Sequence, residues 1–359
     1  ITDALATVTY PGTKKNLIES NMLADDVRID GMKVKFTLIF PRDTDPFLKS
    51  TLKAAEAAIH YHVSKDVEVT IETEFTSKPR PEVGKLLPQV KNIIAGSSGK
   101  GGVGKSTVAA NLAISLARLG YKVGLLDADI FGPSMPKMFD VEKERPYGVN
   151  KDGRDLIEPI EKYGVKLLSI GFFVNPDTAT LWRGGMASNA LKQLIADADW
   201  GELDYFVLDT PPGTSDIHLT LLQTLAITGA VIVSTPQNVA LADARKGIDM
   251  YQNDKVNVPI LGLVENMAWF TPAELPENKY FIFGKEGCKN LAKEMNVPLL
   301  AQIPLVQSIC ENGDNGTPAA LDINSITGQA FISLAQAVVT VTNKRNREMA
   351  ATKIVEVKK

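Results

Sequence analysis

Two patterns of hydrophobic and polar residues divide the chain. In the first 76 residues or so, apolar and polar positions alternate in short runs, which predicts strands, and one amphipathic stretch predicts a helix. The expected elements are a helical start over 4–8, strands at VRIDG and MKVKFTLIF, a helix at FLKSTLKAAEAAIHYHV and a strand at VEVTIETEF. The Asp30-Gly31 pair between the first two strands predicts a hairpin. This part is expected to form a small α+β domain.

From residue 91 onward, continuous apolar runs alternate with amphipathic segments. The candidate strands are NIIAG, YKVGLLDA, VKLLSIG, LDYFVLDT, GAVIVST, VPILGLVEN and PLLAQI. Runs of this kind, separated by helices, predict an α/β fold with a mostly parallel sheet that helices cover on both faces. Residues 77–90 contain three prolines and predict a linker, so the expected domains are 1–76 and 91–359, the latter ending in a basic tail.

The composition narrows the class of protein. Of 359 residues, 44% are hydrophobic and 23% charged, as in an ordinary globular protein, and the net charge of −3 gives no reason to expect nucleic acid or an anionic membrane as a partner. No apolar run approaches the roughly 20 residues of a membrane span, and the start lacks a signal-peptide pattern. Only two cysteines occur, which fits a reducing compartment. We therefore expect a cytoplasmic protein.

A complete phosphate-binding motif follows the first strand of the second domain. Gly99–Ser106 reads G-x-x-x-x-G-K-[ST], and a helical pattern begins directly after it. Small residues let backbone amides approach phosphate, and the helix N-terminus favours negative charge. Lys105 is expected to neutralise the β- and γ-phosphates and Ser106 to ligate magnesium. The residues predicted to contact nucleotide here are Gly99, Gly101, Gly102, Val103, Gly104, Lys105, Ser106 and Thr107.

Aspartates end two later strands. Asp127 and Asp129 come at the end of one apolar run and Asp209 ends another. Because parallel strands present their carboxyl ends at one edge of a sheet, these carboxylates are expected to face the phosphate site. Asp209 matches the acidic residue that P-loop NTPases place beside magnesium. The amide of Gly213, four residues later, is expected to reach the γ-phosphate and make this loop a switch.

Six ordered motifs resemble the Mrp/ApbC family of P-loop ATPases, relatives of MinD, ParA and the nitrogenase iron protein. They are SSGKGGVGKSTVAANLA, DADIFGPS, RGGMASNALKQL, DYFVLDTPPGTSD, STPQNVALADARKGIDM and ENM. The first 76 residues resemble the small iron-sulfur assembly domain often fused ahead of such ATPases. Together the two resemblances cover nearly the whole chain.

The resemblance implies roles for individual residues. It implies that Lys100 reaches into a second subunit and contacts phosphate there, so that ATP lies between two copies of the chain. It further implies that Asp129 orients the attacking water and that Asp127 and Asp209 support a magnesium ion bound by Ser106. The residues implied at the adenine are Asn266, as a hydrogen-bonding partner, and Pro304, against the ring face. The implied cofactors are ATP and Mg²⁺.

The thiols that such relatives use are missing. Proposed cluster carriers have a Cys-x-x-Cys pair shortly after ENM, whereas no cysteine lies between Met267 and Phe283, and Asp45 stands where the small domain often has a cysteine. Cys288 and Cys310 are 310 − 288 = 22 residues apart, and we interpret them as small core residues. An iron-sulfur cluster is therefore a doubtful cofactor. His218 is interpreted as a structural or interface residue.

Three functions remain after these observations. The first is a homodimeric ATPase that acts in iron-sulfur cluster assembly or transfer to apo-proteins. The second is a nucleotide-gated, ParA- or MinD-like scaffold that captures partners and carries no cluster itself. The third, a kinase or synthetase of a small molecule, would need an acceptor site, for which the sequence shows no separate motif. The C-terminal tail NKRNREMAATKIVEVKK is too polar to insert into a membrane, so no membrane partner is expected.

Overall fold

The computed structural model describes two compact units. One contains residues 1–80 and 150–155, and the other contains residues 81–149 and 156–359. Within these limits the structure describes residues 1–355 except 12, 14, 25, 42–44, 46, 76–85, 152, 174–183, 273 and 276. Most of the predicted linker, 77–90, therefore lies outside the described residues.

The first unit is the predicted α+β fold. Its elements are α1 (Thr2–Leu5), β1 (Thr9–Tyr10), β2 (Lys15–Asn16), β3 (Arg28–Asp30), β4 (Lys33–Phe40), α2 (Leu48–His62) and β5 (Glu68–Phe75). Strand β4 pairs with β3 in antiparallel and with β5 in parallel orientation, so β4 is the central strand of a sheet. Helix α2 makes the crossover between β4 and β5 and buries Thr51, Ala55 and Ile59, which lie four residues apart on one face.

The hairpin predicted at Asp30-Gly31 is confirmed, since Asp30 is opposite Lys33 in the β3–β4 pair. The helical start predicted over 4–8 is wrong in its bounds, because α1 ends at Leu5. Residues beyond it turn into β1, where Thr9 pairs with Asn16.

The second unit is built on one mostly parallel sheet. Its helices and strands, with those of the 150–155 segment, are β6 (Val90–Ser97), α3 (Lys105–Arg118), β7 (Val123–Asp127), α4 (Met135–Met138), β8 (Tyr147–Lys151), β9 (Arg154–Glu158), β10 (Ile160–Lys162), β11 (Val165–Ser169), α5 (Gly184–Ala196), β12 (Leu203–Asp209), α6 (Asp216–Thr224), β13 (Gly229–Ser234), α7 (Asn238–Gln252), β14 (Ile260–Glu265), α8 (Gly287–Glu294), β15 (Leu299–Gln302), α9 (Gln307–Asp314) and α10 (Ile326–Glu348), with two 3-10 helices at Ile170–Phe172 and Ala319–Leu321. In the described residues the strand order is β10-β11-β7-β12-β6-β13-β14-β15, and only β10 runs antiparallel to its neighbour.

Both faces of this sheet are buried, which explains the uninterrupted apolar runs. Along β12, Phe206 and Leu208 pack into one hydrophobic core, and Tyr205 and Val207 pack into the other. Helices flank the sheet on each side, so the predicted α/β fold is confirmed. Among the described residues, no helix combines the length and the apolar character needed to cross a membrane.

Candidate nucleotide-binding site

The carboxyl ends of four neighbouring strands form one row of polar positions. Asp209 at the end of β12 is in register with Asp127 at the end of β7 and, on its other side, with Gly96 of β6. Asp127 is in turn in register with Ser169 of β11. The phosphate-binding loop begins two residues after the end of β6, so the sheet itself places the loop beside both aspartates. The sequence predicted that Asp127 and Asp209 would meet, and they do.

The phosphate-binding loop links β6 to α3 and contacts the structure around it at both ends. A side chain on Gly99 would place its Cβ 2.0 Å from the carbonyl carbon of Asp243 in α7, so helix α7 leaves room for glycine alone. A Cβ on Gly104 would lie 2.2 Å from Nδ2 of Asn266. Gly104 also has φ +81°, a left-handed conformation that glycine adopts without strain, and it directly precedes the first residue of α3.

Lys105 and Asp209 form a buried ion pair at the centre of the site. The Nζ of Lys105 lies 2.5 Å from Oδ1 of Asp209 and 3.1 Å from the hydroxyl of Ser106. Lys105 is 6% exposed and Asp209 fully buried. Burial raises the pKa of Asp209, and the ammonium group of Lys105 opposes that rise. A nucleotide phosphate offers Lys105 a second anionic partner at the same place.

Asp127 orders the loop that follows β7. Its Oδ2 accepts hydrogen bonds from the amides of Ser134 (3.1 Å) and Met135 (3.2 Å) and from the hydroxyl of Ser169 (2.9 Å), while Oδ1 accepts one from the amide of Asp129 (3.2 Å). Burial, and after it the negative charge of Asp209, raise the pKa of Asp127 to about 7. Both oxygens are therefore engaged by the protein. We expect Asp127 to support a magnesium site by holding this loop rather than by direct ligation.

Asp129 and Gly213 lie on the two loops that flank the site. The half-buried Asp129 accepts a hydrogen bond from the amide of Gly132 (3.3 Å) through Oδ1. The amide of Gly213 donates to the carbonyl oxygen of Ser98 (2.9 Å), so it is occupied by the phosphate-binding loop. The predicted contact between Gly213 and the γ-phosphate would require this hydrogen bond to break. That exchange of partners is the movement expected of a switch loop.

Lys100, by contrast, has an exposed side chain. No ion pair or side-chain hydrogen bond is found for it among the described residues. Its backbone carbonyl accepts a hydrogen bond from the hydroxyl of Ser98 (3.0 Å), which fixes the loop without using the ammonium group. The side chain is available to a ligand or to a second copy of the chain.

Asn266 and Pro304 line a cavity of about 360 Å³ beside the phosphate-binding loop. Gly104 and Thr107 of the phosphate-binding loop also line this cavity, so a nucleotide whose phosphates lie on the loop would place its base and ribose here. Asn266 donates from Nδ2 to the carbonyl oxygen of Val103 (2.9 Å). The structure thus brings both predicted adenine residues to the loop, although their contacts with a base stay a prediction.

The residues around Lys105 fit a magnesium ion in donor chemistry. Oxygen donors are what Mg²⁺ prefers, and it takes most of its ligands from phosphate and water, so the protein needs to supply only one or two. The Ser106 hydroxyl begins α3 directly after Lys105, and Oδ2 of Asp209 is buried without a hydrogen-bond partner among the described residues. The Ser106 hydroxyl would ligate the ion directly. Asp209 would act indirectly, through the other ligands of the ion.

Two polar features of this region were not predicted. Ser169 ends a strand just as Asp127 does, so the strand-end rule applied to VKLLSIG would have identified it. Glu265, the first residue of ENM, is fully buried: Oε2 accepts from the amide of Cys288 (2.6 Å) and Oε1 from the side-chain amide of Gln302 (2.6 Å). Glu265 thereby joins the ends of β14 and β15 to the start of α8.

The two cysteines have different environments, and neither forms a disulfide. Cys288 is fully buried, and burial raises the pKa of its thiol to about 12, so the core interpretation holds for it. Cys310 is exposed, so the core interpretation is wrong there, because α9 presents it to the cavity described above. Among the described residues, no group of three or more His, Cys, Asp or Glu side chains is arranged to hold a metal ion.

A hydrogen bond to His218 connects the loop after β12 with the first turn of helix α6. The amide of Ser215 donates to its Nδ1 (3.2 Å), and the Ser215 side chain caps the helix in return. Because an amide can only donate, Nδ1 must be unprotonated and Nε2 carries the hydrogen. Nε2 is buried and has no partner among the described residues. Burial, with a smaller contribution from the positive charge of Lys105, lowers the pKa of His218 to about 4.

The burial of His218 predicts that the protein loses stability as the pH falls. Between about pH 6.5 and 4 the unfolded state binds a proton at His218 and the folded state does not, so stability falls as the pH falls through that window. From pH 7.5 to 5.0 the loss is about 2 kcal/mol. In His218→Gln, which keeps an acceptor for the Ser215 amide, this part of the loss should disappear. Urea unfolding followed by tryptophan fluorescence checks it, since all three tryptophans lie in residues 81–359. Equal losses in both proteins would show that His218 is not held neutral.

Comparisons with known proteins identify the family of this chain. Residues 89–339 match the family model described as NUBPL iron-transfer P-loop NTPase, and residues 1–71 match that of the iron-sulfur cluster assembly protein family. An iron-sulfur cluster carrier protein from Synechocystis is 44% identical, covering 94% of this chain and 96% of its own. One from Haemophilus influenzae is 50% identical over 92% and 88% of the two chains.

A solved structure gives the same result for the fold. It is a nucleotide-binding protein from Archaeoglobus fulgidus in complex with ADP, 34% identical, and it matches 69% of this chain and 94% of its own with a TM-score of 0.58. The family model and these relatives lead to one conclusion: the chain belongs to the NUBPL iron-transfer family of P-loop NTPases.

Proposed function

We propose that this protein is a homodimeric, ATP-hydrolysing factor of the cytoplasm that acts in the assembly of iron-sulfur clusters or their transfer to apo-proteins. The observation that carries the proposal is the buried Lys105–Asp209 pair beside a complete phosphate-binding loop. A charge pair this deeply buried gains little net stability over apolar residues of similar volume, so it is not explained by stability alone, and its position at the strand ends is where such sheets bind nucleotides. The relatives are named as iron-sulfur cluster carriers, which is the reason for proposing such a cluster as the cargo.

The proposed hydrolysis rests on charges in defined positions. Lys105 is held at the start of α3 by Asp209 and would neutralise charge on the β- and γ-phosphates. The half-buried Asp129 would orient the attacking water. Lys100 is exposed and unpaired among the described residues, so it would complete the site of a second copy, as an arginine finger does in other NTPases. Each copy would then be inactive until the dimer closes around ATP.

A second candidate function has one observation in its favour. The chain has only two cysteines, and Cys288 is fully buried with a pKa of about 12, so each copy has one accessible thiol. A symmetric dimer would offer two accessible thiolates to a cluster that usually takes four. This count favours a nucleotide-gated scaffold that joins assembly partners and carries no cluster itself.

Recovery of an apo-enzyme tests the proposal. The purified protein, ATP and Mg²⁺ are added under anaerobic conditions to an apo [4Fe-4S] enzyme with iron and sulfide, and the recovery of enzyme activity is followed. The same mixture with a non-hydrolysable ATP analogue is the control. The proposal predicts that recovery is faster with ATP than with the analogue. Equal recovery rates with ATP and with the analogue, or with and without the protein, would contradict it.

Cluster absorbance on the protein then decides between carrier and scaffold. The comparison is between the wild type and the Cys288→Ser/Cys310→Ser variant after reconstitution with iron and sulfide. Absorbance in the wild type alone identifies a carrier. Accelerated recovery without such absorbance identifies a scaffold, and a protein that accelerates nothing is neither.

A further inference from the structure

A second cavity, of about 590 Å³, lies where β6 begins, at the other end of this strand from the phosphate-binding loop. Val90, the first residue of β6, lines the cavity, and the strand ends at Ser97, so about 20 Å of strand separates the cavity from the loop. The last turn of α10 forms another part of its wall, through Arg345 and Asn346. Its volume is in the range of small-molecule sites.

Arg345 lines this cavity as a buried cation without a counter-charge. The residue is 9% exposed. Its Nη2 donates to the carbonyl oxygen of Ala350 (2.7 Å) and to the hydroxyl of Thr352 (2.7 Å), and its Nη1 donates to the side-chain oxygen of Asn346 (3.2 Å). Its Nε is buried and has no hydrogen-bond partner, and no carboxylate pairs with the guanidinium, among the described residues. All the partners of this cation are therefore uncharged.

The hydrogen bonds of Arg345 explain only part of this arrangement. The two bonds from Nη2 hold the segment after α10 against the end of the helix, where the helix dipole favours a positive charge. They leave Nε unpaired, and the guanidinium stays buried without an anion, which is costly for a charged group. Burial accordingly lowers the pKa of Arg345. An anion in the cavity would supply the missing counter-charge.

The rest of the lining indicates which anion fits. Lys91 is the other cation of the wall, and it is already paired with Asp204 (2.8 Å), while no Asp or Glu is among the described residues that line the cavity. One positive charge is thus left without a partner. A carboxylate balances it, whereas a phosphate monoester brings about 1.5 to 2 negative charges at pH 7. Much of the remaining wall is apolar and consists of Leu86, Leu87, Pro88, Val90, Met349 and Ala351.

We propose that this cavity binds a monocarboxylate with an apolar body, of the class of medium-chain fatty acids, and that Arg345 pairs with its carboxylate. The apolar body lies against the apolar part of the wall, where its removal from water contributes to affinity. The cavity shares no lining residue with the one beside the phosphate-binding loop. The proposal therefore stands or falls independently of nucleotide binding.

Calorimetric titration of the full chain at pH 7 with octanoate, octanol and octyl phosphate tests the proposal. The three probes share the alkyl chain and differ in the charge of the head group. Octanoate should bind at least about tenfold more tightly than octanol, because a charged acceptor strengthens its hydrogen bonds with Arg345. Octyl phosphate should bind more weakly than octanoate, since part of its charge stays unbalanced. Octanoate should also raise the midpoint of thermal unfolding.

Substitution of Arg345 locates the charge. Arg345→Gln should weaken octanoate binding at least about tenfold and leave octanol binding unchanged. Arg118→Gln is the matched control, because Arg118 is exposed and its Nη2 donates to the carbonyl oxygen of Leu321 (2.9 Å), away from this cavity. This variant should bind octanoate as the wild type does.

A second variant keeps the hydrogen bonds of Arg345 intact. Ala226 is exposed and lines the cavity, so Ala226→Trp should occupy part of the space and weaken the binding of octanoate and octanol alike. Wild-type affinity for octanoate in Arg345→Gln or in Ala226→Trp would overturn the proposal. Equal affinities for octanol and octanoate in the wild type would overturn the role of the charge. Tighter binding of octyl phosphate than of octanoate would overturn the assignment to a monocarboxylate.

Discussion

Replacing Lys100 by alanine should abolish ATP hydrolysis while sparing most nucleotide binding. The structure supports this separation because the Lys100 side chain is exposed and makes no ion pair or hydrogen bond among the described residues, whereas Lys105 is buried against Asp209. A positive charge that a second copy brings to the transferred phosphate lowers the barrier to hydrolysis. Removing it should therefore reduce turnover roughly a thousandfold or more. Phosphate release at saturating ATP, together with calorimetric titration of ATP, checks both halves of the prediction.

Lys122→Ala is the matched control. Lys122 is exposed as well, and it pairs with Glu202 (3.8 Å) at the end of the sheet opposite the site. Its loss should leave both turnover and binding unchanged. Normal turnover in Lys100→Ala would rule out a catalytic role for Lys100. A parallel loss of binding and turnover would mean that Lys100 contributes to the binding of ATP and has no separate role in hydrolysis.

Replacing Lys105 by alanine should remove both nucleotide binding and hydrolysis, and it should also destabilise the fold. Removing one member of a buried ion pair leaves the other without its counter-charge, at a cost of about 3–5 kcal/mol. Asp209 is fully buried, its Oδ2 lacks a hydrogen-bond partner among the described residues, and the substitution removes the ion pair with Lys105. Urea unfolding measures the stability, and titration with ATP measures the binding.

A second substitution separates these two effects. In Lys105→Ala/Asp209→Asn the uncompensated charge is gone, so most of the stability should return. Nucleotide binding and hydrolysis should not return, because the phosphates still lack Lys105. Recovery of hydrolysis in the double variant would show that Lys105 is needed for folding alone.

The general fold and the core of the site could be predicted because each depends on a strong local pattern. The apolar runs of β6, β7 and β12 are long enough to identify buried parallel strands. Once the strands are parallel, the carboxyl ends of β7 and β12 must lie at one edge, which brings Asp127 and Asp209 together. The glycine-rich loop between β6 and α3 carries its own signature. These features require no knowledge of which elements pack against which.

Features that depend on packing between distant elements could not be predicted. The exposed position of Cys310 depends on where α9 lies relative to the phosphate-binding loop, and QSICENGD has no pattern that tells a cavity wall from a core. The hydrogen bond from the Gly213 amide to Ser98 joins two loops more than a hundred residues apart, and it changes the expected γ-phosphate contact into one that must first be released. Strands β1 and β2 have two residues each, too few to show a period.

Completion of each active site by a second copy of the chain is the central claim of the proposed mechanism. Mixing two inactive variants, Lys100→Ala and Asp129→Ala, tests that claim directly. In a mixed dimer, the Lys100→Ala copy keeps its own Asp129 and receives Lys100 from the other copy, so one of the two sites is complete. With random pairing, half of the dimers are mixed and each has one of two sites intact, so the mixture should recover about a quarter of wild-type ATP hydrolysis. If the mixture stays as inactive as its components, Lys100 does not act across the dimer.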